Sequence, residues 1–223
     1  MVIKYLKTLR QRFSIVVASG LAGLTIPILM LITESILISF NVNYDPLIES
    51  ISALGWKPLG WVQSVSFLVI GLLIEIFALG FYLSVRRKTG FGIGTAFLVL
   101  FGFGTLLIGA FREQPIGAPM TTESTIHVVG ASMNFALFPL ACFSFVFSLK
   151  SDPNWQALFI YTIVAGLIAI VVGVILWLSQ TVCWFGLCER ILVANSVIWL
   201  QVMSVRLLIL SFRKPIMISD SPS

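Results

Sequence analysis

The chain contains one histidine, His127. An imidazole titrates near neutrality, so it can carry a proton, ligate a metal or orient a polar ligand. A single histidine excludes a haem held by two imidazoles of one chain, and there is no Cys-x-x-Cys-His segment. There is also no Gly-x-Ser-x-Gly elbow, and no serine is marked out as a nucleophile for His127. Of the three cysteines, Cys142 lies in an apolar run, while Cys183 and Cys188 share the short segment QTVCWFGLCER. Four intervening residues, one of them glycine, allow a compact loop, so a Cys183–Cys188 disulfide is expected on an oxidising side of a membrane. Two thiols and one imidazole do not complete a tetrahedral zinc set, so neither a metal nor a cofactor is expected. No residue stands out as catalytic.

Two carboxylates interrupt apolar sequence. Glu75 lies 14 residues after Trp61 and 11 before Arg86, at the middle of its run. A charge at the centre of a bilayer costs at least about 2.5 kcal/mol on insertion scales. Glu75 is therefore expected to be neutral, hydrogen-bonded across helices or facing a wet cavity, with Gln201 at similar depth as a partner. Glu34 lies 22 residues beyond Arg12, which at about 1.5 Å per residue brings it close to the far surface. Thr105, Asn134 and Asn195 form a shallower polar layer that lines a pocket or ties helices together.

The elements that must position these groups are membrane spans. The chain is 58% hydrophobic and 10% charged, with mean hydropathy +1.04. Too much of its surface is apolar for a water-soluble domain of 223 residues, whereas helices of about 20 apolar residues cross a bilayer. Apolar runs at 14–39, 61–85, 91–111, 127–149, 156–178 and 190–212 predict an all-α, polytopic fold of six transmembrane helices in one bundle. Residues 1–13 form a basic N-terminus and 213–223 a tail. Trp56, Trp61, Trp155, Trp177 and Trp184 fall near the ends of runs, as an interfacial belt.

Charge then orients the bundle. Eleven of the fourteen Lys and Arg fall on the side of the termini; only Lys57, Arg112 and Arg190 fall on the other. The positive-inside rule makes the first side cytoplasmic, with both termini inside. The net charge of +5 reflects this topology and does not call for a nucleic-acid partner.

The segments on the side away from the termini carry a recognisable arrangement. YDPLIESISALG (44–55) follows the first span, FREQP (111–115) ends the third, His127 opens the fourth, and GLCERI (186–191) precedes Trp199 in the sixth. This arrangement resembles the six-span prokaryotic membrane proteins of the domain of unknown function 998 (DUF998) family, over roughly 14–212. The family pattern has an acidic residue where this chain has Ala53, and tends to Asp where it has Glu113. The resemblance implies a multi-pass protein of the prokaryotic cytoplasmic membrane, without an established activity. It also implies a candidate polar site at one mouth, made from Asp45, Arg112, Glu113, His127, Glu189 and Arg190. In that site the arginines would pair with Glu113, Glu189 or Asp45, or contact an anionic headgroup.

Binding is preferred to turnover as the functional class. The leading expectation is a protein that binds a lipid or other amphiphile, or serves as an accessory subunit of a membrane complex. The expected partners are membrane lipids and other membrane-protein subunits. The alternatives are a small proton-coupled transporter using Glu75 and, third, an intramembrane lipid-modifying enzyme.

Overall fold

In the computed structural model the described residues are 2–86, 90–115, 117–178 and 184–212, with side chains described from residue 13 onward. They form six α-helices: α1 (Val2–Phe40), α2 (Gly60–Ser84), α3 (Phe91–Ala110), α4 (Thr122–Ser151), α5 (Phe159–Leu178) and α6 (Phe185–Phe212). Each contains a stretch long and apolar enough to cross a membrane, and no strand occurs among the described residues. Sequential helices pack as antiparallel neighbours, and α6 returns to pack on α1. The fold is thus an all-α, multi-pass membrane bundle. α5 is the least buried of the six spans.

The core is aromatic. Phe81 lies at its centre, with ring centroids 5.1 Å from both Phe145 and Trp155 and 5.7 Å from Phe91. Trp199 stacks on Phe145 at 6.0 Å, and its indole N–H donates to Thr162 Oγ1 at 3.1 Å. Trp155, placed in the interfacial belt by its position, is fully buried instead. The 3-10 turn Gln156–Leu158 follows it, and the backbone amides of Trp155 and Gln156 both donate to Asp152 O, folding the indole inward. Trp56, Trp61, Trp177 and Trp184 are exposed, as a belt requires.

Two helices begin five residues before the apolar runs do. α4 starts at Thr122 because Thr121 and Ser124 form a reciprocal capping box: Ser124 N donates to Thr121 Oγ1 at 3.2 Å and Thr121 N to Ser124 Oγ at 3.0 Å. α6 starts at Phe185, and the amides of Gly186 and Leu187 in its first turn donate to Ile48 O and Leu47 O. Those donors have no partner within the helix, so the loop between α1 and α2 completes the helix end.

That loop, residues 41–59, is the main structure at the end of the bundle away from the termini, hereafter the cap end. It carries the 3-10 turn Ser52–Trp56 and buries Tyr44, Ala53 and Leu54 against Leu37 of α1. The opposite end is joined through Asp152, which is buried and accepts from Arg86 N at 2.7 Å and Asn154 N at 2.9 Å.

Candidate functional site

At the cap end the structure divides the sequence-derived polar residues into two groups with different work. The first group is structural and centres on Arg190. Its Nε donates to Glu34 Oε1 at 2.6 Å, and one terminal nitrogen donates to Pro46 O at 2.6 Å, Glu49 O at 3.0 Å and Gly186 O at 3.1 Å. The other terminal nitrogen donates to the Tyr44 hydroxyl, which itself donates to Ser50 O at 2.8 Å. One guanidinium therefore binds α1, the 41–59 loop and the first turn of α6. Arg190 pairs with Glu34, which lay outside the expected set of partners. The planar fork of arginine reaches all these acceptors at once, which a point charge does not. Burial pushes the Tyr44 phenol up to about 12 despite the neighbouring guanidinium, so this link keeps its proton at neutral pH.

Asp45 of the expected site and the neighbouring Lys57, which was not part of it, also serve the loop. Asp45 Oδ1 accepts from Leu47 N at 2.9 Å, closing its own turn. Lys57 pairs with Glu49 at 2.8 Å and lies 5.0 Å from the Tyr44 ring centroid. Arg112 is exposed, with no ion-pair partner among the described residues.

The second group lines a cleft. Glu113, His127 and Glu189 converge there with Ser50 and Ser52, at the mouth of a volume of about 480 Å³ between α4, α5 and α6. Its deeper walls are apolar, including Phe135, Pro139 and Ile170. This size lies within the range of about 300–1,000 Å³ typical of small-molecule sites. The cleft exists because facing side chains are too small to fill it. α4 and α5 touch where a Cβ on Gly166 would meet Cys142 Cβ at 3.2 Å. Towards the cap end the walls are Ala131, Ser132 and Ala136 of α4 against Ala169 and Gly173 of α5, and a Cβ on Gly173 would meet nothing within 4 Å. A smaller cavity of about 70 Å³ shares Ser52, Ala131 and Glu189 with the cleft and runs inward to Asn134 and Ser196. Asn134 Oδ1 is buried there without a partner among the described residues, while its amide nitrogen donates to Thr105 Oγ1 at 3.0 Å and ties α4 to α3. Asn195 donates to Ala165 O at 2.9 Å and ties α6 to α5.

Each group at the mouth is held in place. His127 is only 4% exposed, and its Nδ1 lies 2.7 Å from Phe111 O and 3.2 Å from Ile108 O. Both partners are acceptors, so Nδ1 carries a hydrogen and closes the carbonyl end of α3. Glu189 is 8% exposed, and its Oε2 accepts from Ile51 N at 2.7 Å. Glu113 Oε2 accepts from Ser50 Oγ at 2.9 Å. Ser52, His127 Nε2 and Glu189 Oε1 have no hydrogen-bond partner among the described residues.

Two remaining residues stand apart. The Glu75 carboxyl lies over Gly102 in the seam of α2 and α3, where a Cβ on Gly102 would come within 2.7 Å of Oε1. It is half-buried, has no hydrogen bond to Gln201, and does not line the cleft. The expected Cys183–Cys188 disulfide is not supported: Cys188 is a free thiol packed against the apolar core, and Cys183 lies outside the described residues. Among the described residues, no three His, Cys, Asp or Glu side chains gather as a metal site.

The family described as "Protein of unknown function (DUF998)" matches residues 21–206, and the chain belongs to it. No curated protein and no solved structure matches the chain.

Proposed function

We propose that this DUF998 family member binds a membrane amphiphile, with its headgroup at the mouth formed by Glu113, His127 and Glu189 and its hydrocarbon in the apolar part of the cleft. The observation that carries this reading is the shape of the cleft. Polar groups sit at one end, at the level where a bilayer gives way to water, and apolar walls run from there between α4 and α5. Glu75 is not among the residues lining the cleft, so the carrier reading gains no support from it. Mass spectrometry of protein extracted gently from membranes tests the proposal. Gly173→Trp should fill the cleft without striking backbone, since a Cβ there meets open space. Retained amphiphile should fall at least about tenfold, with thermal stability unchanged. Equal retention by the native chain and by both Gly173→Trp and Ala136→Trp would refute it.

The proposed location is the prokaryotic cytoplasmic membrane, both termini cytoplasmic, so that the cleft faces the outer leaflet. The eleven-to-three division of basic residues supports this orientation. Pro119→Cys should react with an impermeant maleimide from outside, and Lys88→Cys only after the membrane is opened. The reverse pattern would invert the orientation.

A further inference from the structure

We infer that the headgroup taken at this mouth is a protonated amine. The inference rests on the amphiphile reading above and adds the chemical class of the headgroup.

The mouth is rich in acceptors. Glu113 and Glu189 bring two carboxyl groups from different elements, each held by one protein donor through Oε2. His127 has its Nδ1 hydrogen turned to the carbonyls of α3, so its Nε2 offers a lone pair. The Ser50 hydroxyl donates to Glu113, so the donors that the described cleft residues leave without a protein partner are neutral ones: the hydroxyls of Ser52 and Ser132 and the Trp177 indole N–H. Ser52, His127 and Glu189 are each more than nine-tenths buried, and each lines the cleft. Polar atoms of buried side chains that the protein leaves unpaired yet open to a cleft are where a ligand's complementary groups belong.

Among the described residues, no cation lines the cleft to balance these acceptors. Arg190, expected from sequence to meet an anion, directs its donors to Glu34, Tyr44 and three carbonyls and does not line the cleft. Lys57 is paired with Glu49, and Arg112 is exposed away from the cleft wall. A phosphate or carboxylate head would meet carboxyl groups here with only neutral donors, such as the Ser52 hydroxyl, to offset them. An ammonium supplies three donors and the opposite charge, and its hydrogen bonds to carboxylates are charge-assisted. A primary amine on a hydrocarbon chain also fits the rest of the cleft, where Phe135, Pro139 and Ile170 accept a tail.

Two sources share this chemistry: a free long-chain amine and an ethanolamine-headed lipid. The test is competition against a photoreactive single-chain amphiphile, using the full chain in phosphatidylcholine nanodiscs. The competitors are dodecylamine, lyso-phosphatidylethanolamine, dodecyl phosphate and dodecyl maltoside. Dodecylamine should displace the probe at a concentration at least about tenfold lower than dodecyl phosphate. Glu113→Gln, whose amide oxygen can still accept from Ser50, should remove most of that advantage and leave the maltoside unchanged. Displacement by lyso-phosphatidylethanolamine as well points to a lipid source; displacement by dodecylamine alone points to a free amine. Either result supports the amine. If dodecyl phosphate competes as well as dodecylamine, or if Glu113→Gln leaves the preference intact, the headgroup assignment is overturned while amphiphile binding stands. If no competitor displaces the probe, amphiphile binding itself fails.

Discussion

Arg190→Ala should lower thermal stability more than any other single change in the cap, by roughly 10 °C on the usual scaling for a chain of this size. The side chain joins the first turn of α6, through Gly186 O, to two segments distant from it in sequence: Glu34 of α1 and the carbonyls of Pro46 and Glu49. Both partners of its ion pair are less than one-fifth exposed. Removing one partner of such a pair strands the other carboxylate and costs about 3–5 kcal/mol for a well-buried case, somewhat less here. Arg190→Lys should recover little. An ammonium can keep the contact with Glu34 or the carbonyls, but not both together with Tyr44. Heating curves of the purified protein check this, and an unchanged midpoint for Arg190→Ala would show that the cap is held by other means.

The second large effect is steric. A Cβ on Gly186 would lie 2.3 Å from Glu49 O and 2.7 Å from Pro46 O. These are backbone atoms of the loop that also provides Leu47 O and Ile48 O to the first turn of α6, so they cannot move aside alone. Gly186→Val should push the loop off the helix and break the same junction that Arg190 closes. The two changes should therefore be strongly non-additive: in the double variant, the loss should be close to that of the worse single variant. Full additivity in the melting data would mean that the loop and the guanidinium act independently.

The spans were legible from sequence because a bilayer demands long apolar runs, and the family resemblance carried by short polar segments was also readable. The ends of α4 and α6 were less so. TTEST and GLCER are polar, and their helicity comes from a capping box and from carbonyls of another segment. Trp155 has an interfacial position, but the turn at Asp152 rotates it into the core, a tertiary effect that depth does not encode.

At the site, sequence found the level of the polar residues but not their grouping. Glu113, His127 and Glu189 come together, whereas Arg190 and Asp45 serve the cap and Arg112 stands outside. The pairing of Arg190 with Glu34 depends on which faces of α1 and α6 meet. Its available signal was that the two opposite charges lie at similar depth near the ends of their spans. The cleft was the least legible feature. It is made by side chains that are missing, at Ala131, Ala136, Ala169 and Gly173, and small residues more often mark close helix contact than a gap.

The most direct test of the account is the map of photolabelling by a single-chain amphiphile carrying a diazirine in its tail. Crosslinks located by peptide sequencing should concentrate on the walls facing the cleft, at 131–139 of α4 and 169–177 of α5, and should disappear from both in Gly173→Trp. Labelling spread over the outward faces of the bundle, at residues such as Leu21, Leu72 and Ile209, and insensitive to Gly173→Trp would contradict it.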